Sequence, residues 1–258
     1  MDGDGSAGGG PARAVQGGQD TRTVALLRLG VGTIGVALPV VVPLGNWLYA
    51  ELRGRSTAGF WPASISGSYY TSTRNVFVGS LCALGVFLLC YRASRRDDRW
   101  STVAGLFAVV VALCPTAPVH ASALQQTVGV IHLVSAGVLL SALALFCLAS
   151  FRDAAASRRA DRGYLAAGVL ILVFLAVALV TGVTHVGDGW AVTPLYVCES
   201  LSVWAFGGAW LAAAVQASGQ ERAPGGAALP GPTASPETDR QVGVGPADTG
   251  EQAGLPGS

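Results

Sequence analysis

The sequence predicts an all-α polytopic membrane protein, a bundle of six transmembrane helices with both termini in the cytoplasm. Three observations lead there. Hydrophobic residues make up 51% of the 258 and charged residues only 12%, about half the charged share usual in a soluble domain. Six apolar runs recur along the chain, and a helix needs about 20 such residues to cross roughly 30 Å of hydrocarbon. The arginines alternate between connectors in the manner that sets membrane orientation. The mean hydropathy is +0.50. A net charge of +1 says little about partners, because in a membrane protein the placement of charge matters more than its sum. Every basic residue is arginine and none is lysine, which with abundant Ala, Gly and Val points to a GC-rich bacterial coding sequence.

Residues 1–23 are Gly-rich and polar and read as a disordered tail, since they have too little apolar surface to offset the entropy of ordering. The first span covers about 24–45. It starts too late, and lacks the small-residue cleavage site, to be a signal peptide. Pro39 and Pro43 kink its outer half, where neighbouring groups in a bundle satisfy the freed carbonyls. The second span, 72–91, is short, so its start is drawn back among polar residues at the interface. The third covers 101–117, the fourth 127–151 and the fifth 164–186. The sixth covers 194–216 and opens on Pro194, a favourable first helical position. Residues 217–258 are rich in Gly, Pro and acids and read as a second disordered tail. No internal repeat suggests the inverted halves of many transporters. Glycines such as Gly79 and the Gly207–Gly208 pair are expected to let helices approach closely.

Arg92, Arg95, Arg96 and Arg99 follow the second span, and Arg152, Arg158, Arg159 and Arg162 follow the fourth. Short arginine-rich loops stay in the cytoplasm, which places Arg13, Arg22 and Arg28 on the inner side too. Arg53, Arg55 and Arg74 fall on the outer side, against the trend, and call for a partner such as an anionic head group or a carboxylate.

With that topology the rare polar residues gather on the outer side. His120 lies in the third connector, His132 early in span four, His185 and Asp188 at the end of span five, and Glu199 early in span six; Tyr69, Tyr70, Arg74 and Asn75 enter from the same side. An ionisable group inside a span costs on the order of 2.5–3.5 kcal/mol on insertion scales, so it faces the bundle and takes a partner. For Glu199 the sequence offers Arg74 or His132. The set Glu199, His132, Arg74, Asn75, Tyr70, His185 and Asp188 is the candidate site. Plainer roles exist for each: a structural pin for Glu199, a structural hydrogen bond for His132, an aromatic belt for Tyr69 and Tyr70 beside Trp47, Trp61 and Trp190. The five cysteines fall within spans without the paired spacing of a zinc site and read as small buried apolar residues; Cys114 and Cys198 lie towards the same side.

The segment 62–79, PASISGSYYTSTRNVFVG, followed by a short span ending in Tyr91 and Arg92, resembles the first-loop signature of the six-span damage-regulated autophagy modulator family and of related bacterial membrane proteins. His132 to Gly137, HLVSAG, and Glu199 ahead of Trp204 and Phe206 are similar as well. The resemblance implies six helices with both ends inside and a role in membrane lipid remodelling, lipid asymmetry or autophagy, without a settled catalytic chemistry.

The function expected is a non-enzymatic membrane protein whose outer polar pocket binds a lipid head group or a membrane partner, which includes a second copy of the chain. Arginine loops near the inner surface attract anionic lipid by about 1 kcal/mol per residue. One alternative is a metal-dependent hydrolase of lipid amides or esters, with His120, His132 and His185 holding zinc to activate water. A second is a small-solute transporter, which wants polar residues across the midplane, whereas here they stop in the outer leaflet. No cofactor is otherwise expected. Nucleic acid is excluded, since the arginine clusters are short juxtamembrane loops mixed with Asp97 and Asp98.

Overall fold

The structure is a computed structural model and describes residues 10–54, 60–118 and 120–222. These form six helices: α1 Gly10–Leu52, α2 Arg74–Cys90, α3 Arg95–Leu113, α4 Ala123–Leu145, α5 Arg158–Thr184 and α6 Pro194–Arg222. A 3-10 turn, Ser66–Tyr70, precedes α2, and a π turn, Phe146–Ser150, carries α4 on to Asp153. Four segments are long and apolar enough to cross a membrane: Arg22–Leu52, Ala123–Asp153, Arg158–Thr184 and Pro194–Gly219. The chain is therefore a multi-pass membrane protein. Helix α2 is apolar but shorter, at 17 residues.

Several helix ends depart from expectation for local reasons. Helix α1 begins at Gly10, inside the stretch read as a tail; extending an anchored helix adds a hydrogen bond per residue without a new nucleation cost. The remaining tail residues, 1–9 and 223–258, lie outside the described residues, as does Arg55. Helix α3 starts six residues ahead of 101 because Ser94 caps it. The Ser94 hydroxyl accepts from the Asp97 N–H at 3.1 Å, and Asp97 and Asp98 in the first turn favour the positive end of the helix dipole. Its charged first turns thus absorb most of the arginine-rich connector that follows the second span. Ser122 and Gln125 form a capping box that starts α4 at Ala123 rather than 127. Ser157 caps α5 in the same way as Ser94 caps α3. Helix α5 stops where His185 turns left-handed, at φ 57°. Thr193 accepts from the Tyr196 N–H ahead of Pro194.

Each helix packs on its sequence neighbours, and α6 closes the ring against α1. Missing side chains set the closest crossings. A Cβ on Gly207 would meet the Val36 nitrogen at 2.8 Å and the Gly32 oxygen at 2.9 Å, so α1 and α6 touch backbone to backbone. Gly85 of α2 and Gly105 of α3 meet alike, each Cβ falling within 2.9 Å of the other's carbonyl oxygen. Gly79 and Gly208, also expected at interfaces, face open space; small size alone does not say which side of a helix is covered. All five cysteines are free, and Cys90 is exposed rather than buried.

The α1–α6 contact also answers the two prolines. Pro43 has no N–H for the Pro39 carbonyl four residues before it, and the buried Tyr196 hydroxyl of α6 donates to that carbonyl instead. The Trp204 indole donates to the Val36 carbonyl at 3.1 Å. A prolyl break inside hydrocarbon is tolerated because the neighbouring helix supplies donors.

This pairing is testable. Tyr196→Phe leaves the Pro39 carbonyl without a donor and lowers stability by about 1–2 kcal/mol, read as a drop in Tm in detergent. In a Pro43→Ala background, where an intrahelical N–H returns, the same substitution costs less. An equal loss in both backgrounds would show that the hydroxyl does not serve the proline break.

Candidate functional site

The residues of 60–74 are organised by the start of α6. One Glu199 carboxyl oxygen accepts from the Ile65 N–H at 2.6 Å and, more weakly, from the Ser66 N–H at 3.4 Å, while the other accepts from the Ser66 hydroxyl at 3.2 Å. Thr193 donates to the Ala63 carbonyl at 2.5 Å. Ser64 accepts from the Gly67 N–H at 2.7 Å and so opens the 3-10 turn. The loop is clasped to α6 through its own backbone, and two N–H groups converging on a carboxyl group satisfy an acid inside a span.

Glu199 therefore bonds neither Arg74 nor His132, the partners its sequence position suggested. His132 is buried, and its Nδ1 lies 2.6 Å from the Cys114 carbonyl, joining α4 to the end of α3. Arg74 donates from Nε to the Tyr69 carbonyl at 2.7 Å, and its guanidinium lies 4.6 Å from the Tyr69 ring centre. Arg53 similarly lies over Tyr49, at 5.3 Å. An aromatic face rather than a carboxylate thus accompanies each of these two arginines. Tyr70 donates to the Thr116 carbonyl at 2.5 Å, bridging the first loop to the third connector. Partial burial pushes its phenol up, the Tyr69 phenol adds to this, and Arg74 pulls it back. Asn75 is exposed in the first turn of α2. His185 and Asp188 pair with each other at 3.0 Å, both exposed.

The polar residues of the candidate set are thus distributed over four local arrangements rather than one cluster: the Glu199 clasp, the His132–Cys114 contact, the Arg74–Tyr69–Tyr70 corner and the His185–Asp188 turn. His120 is exposed in the connector. Among the described residues, no three His, Cys, Asp or Glu side chains come together in a group that would hold a metal ion.

Beside the clasp lies a feature that residue spacing does not show. Helices α1 and α6, with Phe60, Trp61 and Val192, enclose an open cleft of about 270 Å³. Pro39, Pro43, Tyr196, Val197, Leu201 and Trp204 form its walls. Trp61 packs on Tyr196 with ring centres 5.3 Å apart, and Phe60 joins Trp61 to Trp47. The docked loop therefore shapes one rim of an apolar groove. Only the two prolines and the aromatic pair on either side of the clasp signal it in the sequence.

No protein-family model, curated protein or solved structure matches the chain.

Replacing Glu199 tests the clasp directly. Glu199→Ala leaves the Ile65 and Ser66 N–H groups without their acceptor, a loss of about 1–3 kcal/mol. Hydrogen exchange is expected to speed up across 63–70 while α2 to α5 keep their protection. Unchanged exchange in that loop would show that Glu199 does not hold it.

Proposed function

We propose that this chain is a six-span membrane protein, with both ends and the arginine-rich connectors in the cytoplasm, that binds lipid and performs no catalysis. An acyl chain lies in the α1–α6 groove under the clasped first loop. The observation that supports this reading best is the groove itself: an apolar cleft bounded by Trp61, Tyr196 and Trp204 on two candidate membrane spans. Burying apolar surface against such aromatic walls orders a chain by dispersion and close packing. The head group is met at the loop's level, where Arg74 stays exposed and, among the described residues, has no carboxylate within salt-bridge distance. The six-helix plan agrees with the resemblance drawn from 62–79, and a lipid-related role is in keeping with it.

The orientation has its own test. In a chain with its five native cysteines replaced by alanine, a membrane-impermeant thiol reagent is expected to label Asp188→Cys in intact cells, and Ala93→Cys only after permeabilisation. The reverse pattern would invert the topology. For the groove, Val197 lines the wall and is 41% exposed, so a larger side chain there fills the cleft without entering the core. Val197→Trp is expected to remove one tightly held lipid from the native mass spectrum of the purified protein. An unchanged lipid count would mean that the groove holds none.

A further inference from the structure

At the opposite end of the bundle from the clasp, Arg28 of α1 stands six residues inside an otherwise apolar segment. Its Nε and Nη2 donate to the Tyr91 hydroxyl at 3.1 and 2.8 Å, and Nη1 donates to the Ala213 carbonyl at 3.4 Å. The guanidinium also lies over the Tyr91 ring at 5.7 Å and the Phe151 ring at 5.3 Å. These contacts fix its plane. Phe151 reaches this place because of the π turn: Phe146 and Phe151, five residues apart, would diverge on an α-helix, yet their ring centres are 6.1 Å apart. Both also pack on the fully buried Trp210.

A guanidinium has five N–H groups, and three are used, which leaves one on each terminal nitrogen. No carboxylate takes them among the described residues. Asp153 pairs with Arg96 and Asp161 with Arg152, each at 2.7 Å. Asp97 accepts from Ser150, and Asp98 accepts from the Ala93 N–H. Every acid described at this end is engaged elsewhere, while Arg28 lines a cleft of about 190 Å³ with Phe151, Ala154, Tyr164, Ala213, Gln216 and Ala217. Two N–H groups held in one plane match two oxygens of a phosphate.

We infer that this cleft is an anion site in which Arg28 binds a phosphoryl group, the head group of an anionic phospholipid or free phosphate. Arg28 supplies the charge and the paired donors, Tyr91 and Phe151 hold it in place, and the opening beside Ala154 admits the ligand. The inference rests on the proposed orientation only for naming the leaflet, which would be the inner one.

The test uses the full purified chain, equilibrated with equal amounts of phosphatidylglycerol and phosphatidylcholine and read by native mass spectrometry. The wild type is expected to retain phosphatidylglycerol in preference. Arg28→Gln, and Ala154→Glu, which places a competing carboxylate at the exposed mouth, each lower that retention at least tenfold; Arg96→Gln does not. Should Arg28→Gln fail to fold, Ala154→Glu carries the test alone, since Ala154 is exposed. Inorganic phosphate is titrated in parallel. A rise in Tm with phosphate in the wild type but not in the variants, without a lipid preference, identifies free phosphate as the ligand and keeps the site. Retention equal to wild type in both variants, together with no Arg28-dependent effect of phosphate, overturns it. Val197→Trp leaves the phosphatidylglycerol preference unchanged, which separates this site from the groove.

Discussion

The contact on which the rest of the structure depends is the crossing of α1 and α6. Gly32, Gly35 and Gly207 let the two backbones meet without side chains between them. In a bilayer the hydrophobic effect does little to draw helices together, so close packing and interhelical hydrogen bonds must do so. The crossing provides both. It brings Tyr196 to the Pro39 carbonyl and Trp204 to the Val36 carbonyl, turning a break in α1 into a point of attachment.

From that crossing the two clefts follow. On one side of it, α6 presents Thr193 and Glu199 to the first loop and, with α1, walls the apolar groove. Near the other end, α6 presents Trp210 and the Ala213 carbonyl to the aromatic cluster around Arg28. The polar groups differ in kind at the two ends. The clasp consumes its hydrogen-bonding capacity internally, whereas Arg28 keeps two donors that no acid among the described residues takes. An acid that is satisfied reads as architecture; a cation that is only partly satisfied reads as a site.

The candidate residues named from sequence meet other partners than the ones their positions suggest. Glu199 inside a span has to be paired, and that much is legible from its cost. Its partner is a pair of backbone N–H groups, at Ile65 and Ser66, which every residue but proline carries and which no residue pattern can flag. The same cost argument applied to Arg28 would have singled it out, since it too interrupts an apolar run. The arginine pattern that sets orientation places it only on the inner side of the first span. The π turn that delivers Phe151 has no sequence signature at all.

What the amino-acid sequence determined by itself is the all-α, multi-pass character and the rough position of each helix, because hydrocarbon leaves a spanning chain few options but to pair its backbone groups within helices. Local chemistry near the ends was also written in it, through Ser94, Ser122, Ser157 and Pro194. Only the tertiary structure decided which glycines are interfaces, which donor answers Pro43, and that Glu199 and Arg28 serve opposite ends of one helix pair. Those outcomes depend on the rotation of each helix about its axis. Apolarity nearly all round a span leaves that rotation undetermined until its neighbours are in place.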